Sequence, residues 1–470
     1  MKVMIPISFL IAFLALNLII LLVFETPWTD NPIPVPRKDP EKCPLRSSGK
    51  TFTPLKGTKH LLVSAYMDQR VRGFDLRIIG IFRRDSIQAL HCLFCCRDNV
   101  TTKATILPHS DNFGFPYVTT DVMCALPKGC SSKHVSLLTD QDNWRHSEQM
   151  WLPIRNLKTE ERRRIKGLIS RSASPPSLAA TTMCSSSPRA WRCTGEPGDT
   201  VCDSFRAELR MDPLTMVSCR LLGINRVVVY NTSCGPELDQ LLHSYSQEGF
   251  VEIVPWPIDE HLTPSYGWLH SASGGDVHYF GQQTSLNDCI YRSMERSRYV
   301  LLNDIDEIIM PYQQSGLVPL MDILQKQHPD AGVFMIENHI FPKKHFEPSG
   351  KFNRSQWNKV PGVNILEHIY REDPARNVYH LYKMIIQPRM VEQTSIHEVL
   401  KIFGTQVPVK VPPDVCRTIH TRDARREDLT LEQLKEDKRL WDFSEKLIPC
   451  VDKALRKAGL LDTKDGHKGG

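Results

Sequence analysis

Two aspartates that follow a short apolar run are the residues whose spacing best suggests chemistry. They are Asp304 and Asp306, in Tyr299-Val-Leu-Leu-Asn-Asp-Ile-Asp-Glu307. In extended chain, side chains two residues apart point to the same side, so both carboxylates can face one ion. Carboxylate oxygens suit Mn²⁺ or Mg²⁺. The spacing therefore predicts a divalent-metal site, where a metal can neutralise the charge that grows on a leaving diphosphate, as sugar transfer from a nucleotide-sugar requires.

The same Asp-x-Asp spacing occurs a second time, at Asp140 and Asp142. This pair follows the strand-like run 135–139, but it lies in a β-rich part of the chain and leads into a polar stretch. We interpret it as a surface turn. For Asp304 and Asp306, the competing interpretation is a solvated acidic strand end, and the surrounding elements decide between the two.

The elements around Asp304 alternate between strands and helices. Strands are predicted at 226–230, 250–254 and 299–302, with helices at 236–247 and 285–296 between them. The strands are apolar throughout, as in a parallel sheet that is covered on both faces. Such sheets bind ligands at the carboxyl ends of their strands, which is where Asp304 and Asp306 lie. The predicted class is therefore α/β. Further strands are predicted at 333–336 and 384–386, and a closing amphipathic helix at 430–447.

The N-terminus decides the predicted compartment. Residues 5–24 carry no charge and are long enough to cross a bilayer. Lys2 precedes this run and acidic residues follow it, so the bulk of the chain is expected in the lumen. A cleaved signal peptide is the alternative and gives the same lumenal location. Sequons at Asn99, Asn231 and Asn353 agree with it.

Composition adds two expectations. The net charge of +6 is spread along the chain, which gives no indication of nucleic-acid binding. The 14 cysteines in a lumenal protein predict several disulfides. Zinc is the alternative for five of them, but their spacing is not that of paired C-x-x-C motifs. These five are Cys92, Cys95, Cys96, Cys124 and Cys130.

These observations divide the chain into six predicted segments. In order they are a cytoplasmic tail at 1–4, a transmembrane signal-anchor at 5–24, a Pro-rich stem at 25–55, a β-rich N-terminal region at 56–154, a Ser/Pro/Arg-rich stretch without periodicity at 155–217, and a catalytic domain at 218–455.

The segment 281–311, GQQTSLNDCIYRSMERSRYVLLNDIDEIIMP, resembles the core of glycosyltransferase family 92, once catalogued as a domain of unknown function with a D-x-D-E core. The segments 220–235, 337–342 and 383–399 resemble the family as well. The resemblance implies a GT-A fold, which is a mostly parallel sheet flanked by helices that binds a nucleotide-sugar. It also implies a single-pass type II Golgi membrane protein and an inverting transfer of galactose from UDP-galactose, in β1,4 linkage, to an N-glycan or another oligosaccharide.

By the same resemblance, Asp304 and Asp306 bind the metal and the donor diphosphate. GT-A enzymes often add a histidine as a third metal ligand, and His397 is preferred over His420 because it lies in a matching segment. Inversion needs a carboxylate base, for which Glu337 is the candidate. Lys383 is expected to face the donor phosphates, as is Arg389, although exposed cationic side chains commonly serve only solvation.

The stretch 155–217 departs from the family pattern. Family members carry there the first strand and helix of the GT-A domain, which bind the nucleotide base, and no apolar strand is evident in this sequence. The alternative function is accordingly a catalytically inactive, carbohydrate-binding family member. A metal-dependent phosphoesterase would need a fuller set of His and Asp ligands than the chain offers.

Overall fold

The structure is a computed structural model, and it describes residues 46–96, 100–139, 149–157, 181–187, 213–358, 360, 362–374, 381–424 and 428–462. They belong to one compact unit, Cys43–Gly470. Within these residues no helix combines the length and the apolar character needed to cross a membrane. The predicted anchor at 5–24, the stem up to residue 45 and the pair Asp140 and Asp142 lie outside the described residues.

Ten strands form an N-terminal sheet, which confirms the β-rich character predicted for this region. The sheet runs β6-β5-β9-β10-β3-β4-β8-β7, with β1 on β10 and β2 on β3. The strands are β1 Arg46–Ser47, β2 Thr53–Pro54, β3 Leu61–Met67, β4 Leu76–Arg83, β5 Leu90–Phe94, β6 Val100–Lys103, β7 Thr105–Pro108, β8 Tyr117–Cys124, β9 His134–Thr139 and β10 Met150–Arg155.

This sheet folds over on itself. Its strands β5 and β8 are separated by four others, which in a flat sheet would place them roughly 24 Å apart. A disulfide nevertheless joins Cys92 of β5 to Cys124 of β8, with their Cα atoms 6.1 Å apart, and a second joins Cys96 to Cys130. Cys95 is disulfide-bonded too. The predicted disulfides are confirmed, and zinc at these five cysteines is excluded because their sulfurs are already paired.

A nine-stranded, mostly parallel sheet follows, in the order β13-β12-β11-β14-β18-β16-β22-β15, with β21 on β16. Strands β13, β12, β11 and β14 are mutually parallel, and β18 runs antiparallel to β14 and β16. The strands of this sheet are β11 Thr181–Ser187, β12 Arg226–Asn231, β13 Val251–Pro255, β14 Tyr299–Leu302, β15 Glu307–Pro311, β16 Val333–Pro342, β18 Lys383–Ile386, β21 Val409–Lys410 and β22 Cys416–Arg422. Two small hairpin-like pairs complete the strands, β17 Tyr370–Arg371 with β23 Lys435–Glu436, and β19 Val391–Thr394 with β20 Val399–Ile402.

Strand β11 corrects the sequence analysis. The sequence suggested no strand within 155–217, yet Thr181–Ser187 occupies the centre of the sheet. Its backbone pairs in parallel with β12 over six residue pairs and with β14 over four. The segment TTMCSSS has few apolar residues, so a search for apolar runs misses it. Its position is defined by backbone hydrogen bonds to strands on both sides.

Helices cover both faces of this sheet. Along β12, alternate residues point to opposite faces, so Val227 and Val229 join one hydrophobic cluster while Val228 and Tyr230 join another. The first cluster contains α1 Pro213–Leu221, α2 Pro236–Gln247, α4 Leu317–Gln327 and α5 Ser444–Lys457, and the second contains α3 Gln282–Ser293. The fold class is therefore mixed α/β.

Helix α3 lies between the two sheets and joins them. All twelve of its residues are buried. Its Asp288 accepts hydrogen bonds from Tyr66 of the N-terminal sheet, at 2.7 Å, and from Tyr230 of the second sheet, at 2.6 Å. Arg292 completes the group with an ion pair to Asp288 at 2.9 Å. The position of α3 is thus fixed from both sides. The residues that contact the N-terminus of α3 are positioned in the same way.

Two predicted helices have different limits in the structure. The helix predicted at 285–296 spans Gln282–Ser293, because it begins directly after the left-handed Gly281. The helix predicted at 430–447 is wrong for most of its length. Short 3-10 turns occupy Leu431–Gln433 and Arg439–Phe443, and the closing helix α5 begins only at Ser444 and continues through Pro449 to Lys457.

Candidate functional site

Asp304 and Asp306 follow the carboxyl end of β14, in the turn that leads to β15. Each side chain is 36% exposed, although the strand before them is fully buried. The turn is held locally, because Asn303 donates its side-chain amide to the backbone carbonyls of Asp304 and Glu307 at 3.1 Å each. The two predicted ligands are therefore partly open to solvent at the edge of an otherwise closed sheet.

Lys383 lies beneath this turn rather than on the surface. It begins β18, is 2% exposed, and places its Nζ 2.7 Å from Asp304 Oδ2 and 3.0 Å from Glu307 Oε2. Burial opposes the charge on Lys383, but the two carboxylates outweigh it and raise its pKa above the ordinary value. Lys383 thus binds the acidic residues, and its predicted role toward donor phosphates stays a prediction.

His420 is the histidine that meets the aspartate pair. Its Nε2 lies 3.4 Å from Asp306 Oδ2, and its Nδ1 lies 3.1 Å from Glu307 Oε1. Burial disfavours the charged ring, but the carboxylates of Asp306 and Glu307 raise the pKa of His420 to about 9. The contact with His420 also holds the pKa of Asp306 below its usual value, against the effect of burial. The pKa of Glu307 is lowered in the same way, and there Lys383 contributes more than His420.

The preferred histidine, His397, has different neighbours. Its Nδ1 lies 3.0 Å from the carbonyl oxygen of Tyr382, and its ring stacks on Trp268 with the centroids 5.6 Å apart. Of the two candidates, His420 is the one placed against Asp306, so the order of preference in the sequence analysis is reversed by the geometry. The metal role of either ring stays a prediction.

Glu337 is on the other face of β16 from the acidic residues. Its carboxylate lies 2.7 Å from Nε2 of His339, two residues away on the same face. The intervening Asn338 points to the opposite face, where its amide donates to Glu307 Oε1 at 3.4 Å. The alternation of the strand therefore directs Glu337 away from the site, which removes the geometric support for it as the base. Arg389, which was expected to face the donor phosphates, forms a partly exposed ion pair with Glu295, and its role toward phosphates stays a prediction.

Comparison with known proteins decides the family. The sequence model of glycosyltransferase family 92 matches residues 215–457, slightly more than half of the chain. The chain belongs to this family. A curated glycosyltransferase family 92 protein from Caenorhabditis elegans is 22% identical over 178 residues, which is 38% of this chain and 32% of that protein. The chain thus spans about a third of the length of this curated relative.

Membership of family 92 supports a glycosyltransferase-like function. The matched range begins within α1 and contains Asp304, Asp306, Lys383 and His420. It does not contain β11 or the N-terminal sheet. The acidic site therefore belongs wholly to the family domain, whereas part of the sheet that carries it does not.

The sequence analysis gave no role to two of the residues that organise this site, and it ranked a third, His420, second. Gln282 and Glu307 were recognised in the family-like segment but received no role, and Gln282 donates to Asp304 Oδ1 at 3.1 Å. Glu307 is fully buried and accepts a hydrogen bond from the Asp304 backbone at 3.0 Å. The signal for Glu307 was its place in the D-x-D-E run. His420 had no comparable signal, because only the pairing of β15 with β22 places it opposite Glu307.

Proposed function

We propose that this family 92 member is a metal-dependent inverting glycosyltransferase that transfers galactose from UDP-galactose, in β1,4 linkage, to a glycan acceptor. The observation that carries the proposal is the partly exposed Asp304 and Asp306 pair at the carboxyl end of a central strand. The donor sugar and the linkage rest on the family resemblance.

The strand order supports a GT-A type of fold. Strand β11 is central, β12 and β13 follow on one side of it, and β14 begins the other side. In open α/β sheets, ligands bind where the strand order reverses, outside the carboxyl ends of the strands. Here that point is between β11 and β14, and Asp304 and Asp306 follow β14 directly. The central strand also argues against an inactive family member, since that alternative rested on its absence.

The donor set fits a hard divalent cation that the substrate helps to bind. Among the described residues, no three His, Cys, Asp or Glu side chains are arranged to hold a metal ion on their own. Mg²⁺, however, is commonly bound through one or two carboxylates together with substrate phosphates and water. Asp304 and Asp306 would hold Mn²⁺ or Mg²⁺ in this way, and His420 is the candidate third ligand. Such a cation supplies charge stabilisation to the departing diphosphate.

The remaining residues of the site position these carboxylates. Gln282 and Lys383 each bind one oxygen of Asp304, and His420 contacts Asp306. A histidine that binds a metal must be neutral, so in the metal-binding form the carboxylates of Asp304, Asp306 and Glu307 face only the positive charge of Lys383, which leaves two negative charges in excess. That excess favours recruitment of a further cation, which is the electrostatic condition for binding a metal–diphosphate.

The location that we propose is the Golgi membrane, with the catalytic domain in the lumen. The uncharged run 5–24, the disulfides and the sequons support it. Asn353 is exposed in the structure, as an attached glycan requires.

The decisive experiment is calorimetric titration of the purified full chain with UDP in the presence and absence of Mn²⁺. We expect metal-dependent binding, and a loss of affinity on the order of a hundredfold or more for Asp304→Asn with Asp306→Asn, because both charged metal ligands are removed. The matched control is Asp322→Asn with Asp442→Asn, which removes two exposed carboxylates that lie in surface ion pairs. Unchanged UDP binding or unchanged hydrolysis of UDP-galactose in the Asp304 and Asp306 double variant would overturn the proposal.

A further inference from the structure

A partly exposed group of aromatic rings lies in the loop between β13 and α3, where it meets a loop of the N-terminal sheet. We call Phe113, Tyr266, Trp268, His278 and Phe280 the aromatic platform. Trp268 is 37% exposed and Tyr266 is 50% exposed, so part of each of these two large rings is open to solvent. Exposed aromatic side chains grouped in this way mark binding surfaces more often than they mark folding cores.

The rings of the platform support one another. Phe113 stacks on His278 with the centroids 3.9 Å apart, and Trp268 packs edge-on against both rings at 5.1 and 4.8 Å. Tyr266 packs against Phe280 at 5.2 Å. The loop is closed at its neck, because Pro264 bridges Val277 and Ser265 donates its backbone N–H to Val277 at 2.9 Å. The exposed faces are thus held in place.

The backbone under the platform is strained. Tyr279 and Phe280 have φ values of 37° and 56°, and Gly281 follows at 72°. Left-handed backbone costs a residue with a side chain roughly 1 kcal/mol or more, and such strain concentrates at functional sites. The three residues turn the chain directly into α3, whose first residue is Gln282. The strain therefore serves to place the platform beside Gln282.

The platform adjoins both side chains that hold Asp304. Phe280 is two residues before Gln282, which donates to Asp304 Oδ1. Trp268 stacks on His397, which contacts the carbonyl of Tyr382, and the next residue is Lys383, whose Nζ lies 2.7 Å from Asp304 Oδ2. Two paths, each made of direct contacts and one short step along the chain, thus connect the platform to the predicted metal site.

His278 provides a further sign of a ligand. It is 5% exposed, and neither of its ring nitrogens has a hydrogen-bond partner among the described residues. A buried polar group without a partner carries a free-energy cost that a ligand hydroxyl could relieve. Burial lowers the pKa of His278 to about 3, with His397 adding to the effect, so the ring is neutral and offers one donor and one acceptor.

We propose that the aromatic platform binds a sugar ring of the acceptor glycan, with the apolar face of the ring against Trp268 and a hydroxyl directed toward His278. This inference rests on the proposed function, because it takes Asp304 and Asp306 as the donor site. The nucleotide of the donor belongs on the β11 and β12 side of β14, by the strand order. The platform is tied through His397 to β18, which is on the other side of β14. We therefore assign that side to the acceptor.

The test measures glycan binding separately from donor binding, on the full chain and on Trp268→Ala. The glycan probes are a fucosylated N-glycan core and a β1,4-linked galactan oligosaccharide. Their binding is measured by ligand-observed NMR, with and without UDP and Mn²⁺. We expect Trp268→Ala to weaken glycan binding about tenfold and Trp268→Tyr to restore part of it, because an aromatic face is retained. The matched control is Phe346→Ala, which removes an aromatic side chain that is 59% exposed on a different loop.

Three outcomes would overturn this inference. In the first, Trp268→Ala leaves glycan binding unchanged. In the second, Trp268→Ala lowers the affinity for UDP instead of the affinity for the glycan. In the third, neither glycan binds to the unmodified chain in the presence of UDP. Failure of the proposed function is distinguishable, since it appears as absent UDP binding at Asp304 and Asp306 whether or not glycans bind at Trp268. Where transfer is measurable, Trp268→Ala should raise KM for the acceptor by more than Phe346→Ala does.

Discussion

Two clusters of carboxylates in this molecule each surround a buried cation, yet they differ in access to solvent. In the Arg77 cluster, Arg77 contacts Asp68 at 2.8 Å, Asp121 at 2.6 Å and Glu392 at 3.3 Å. In the Asp304 cluster, which also contains Asp306, Glu307 and His420, the central cation is Lys383. The side chains of Arg77, Asp68 and Asp121 are 0% exposed, whereas those of Asp304 and Asp306 are 36% exposed.

The difference separates a structural site from a ligand site. The Arg77 cluster lies where the N-terminal sheet meets α3 and β19, and further donors close it, among them His109 and Gln393 at 3.0 and 3.2 Å from Asp121. Arg70 also pairs with Asp68, and Lys401 with Glu392, so each carboxylate of the cluster has at least two partners among the described residues. The Asp304 cluster has the same kinds of residues, but two of its carboxylates keep an open side and an excess negative charge. Access, rather than composition, therefore makes the Asp304 cluster the candidate active site.

The largest effect on stability should come from Arg77→Met. It leaves the buried Asp121 without its arginine, whereas Asp68 keeps Arg70 and Glu392 keeps Lys401. Breaking a buried ion pair in this way costs about 3–5 kcal/mol. We expect the free energy of unfolding in urea to fall by that amount. The control Arg298→Met removes an exposed pair with Asp322 and should change it by less than about 0.5 kcal/mol. A loss for Arg77→Met as small as that of the control would show that the cluster is not the closed structural site described above.

Lys383→Met should have a smaller effect, and one that depends on ligand. Asp304 keeps an open side that water can solvate, so we expect a loss of about 2 kcal/mol in the free energy of unfolding. UDP with Mn²⁺ should recover about half of it, because a bound cation replaces the missing charge and binding stabilises the folded state. Thermal unfolding with and without UDP and Mn²⁺ measures this.

The same titration on Arg77→Met should show no recovery beyond the stabilisation seen in the unmodified chain. If the ligand rescues both variants equally, the distinction between a closed and an open cluster is lost. If the ligand rescues neither variant, the charge of Lys383 has only a structural role in the Asp304 cluster.

The comparison also explains which parts of the molecule were predictable. Strand β14, helix α2 and the Asp304 and Asp306 pair are local features, and the sequence predicts them because apolar runs, helical spacing and an i, i+2 carboxylate pair can be read within a few residues. His420 is not local, because it reaches Glu307 only through the pairing of β15 with β22. It ranked behind His397 because His397, unlike His420, lies in a segment that resembles the family.

Strand β11 and the role of α3 show a second limit. The Thr- and Ser-rich sequence of β11 does not read as a buried strand, and its place is set by the neighbours that flank it on both sides. In α3, Asp288 has the appearance of a chemical residue but serves to join Tyr66 to Tyr230. Burial and hydrogen-bond partners distinguish a structural residue from a catalytic one. Neither burial nor partners can be inferred from the residue type.

The smallest predicted effect compares the two clusters through one residue type, glutamine, which occurs in both. Gln282 donates to Asp304 and Gln393 donates to Asp121, and both glutamines are buried. A hydrogen bond of this kind is worth about 1 kcal/mol. In Gln393→Ala this should appear as a loss of about 1 kcal/mol in the free energy of unfolding, with unchanged UDP affinity, because the closed cluster has no water to replace the donor.

In Gln282→Ala the same loss should appear in ligand binding instead. Water can replace the donor at the open side of Asp304, so the unfolding free energy should stay nearly constant. The carboxylate loses its orientation toward the metal, and the affinity for UDP with Mn²⁺ should fall about fivefold. Urea unfolding and calorimetry on both variants give the four values needed. Equal effects of the two substitutions on both quantities would contradict the assignment of one cluster to structure and the other to ligand binding.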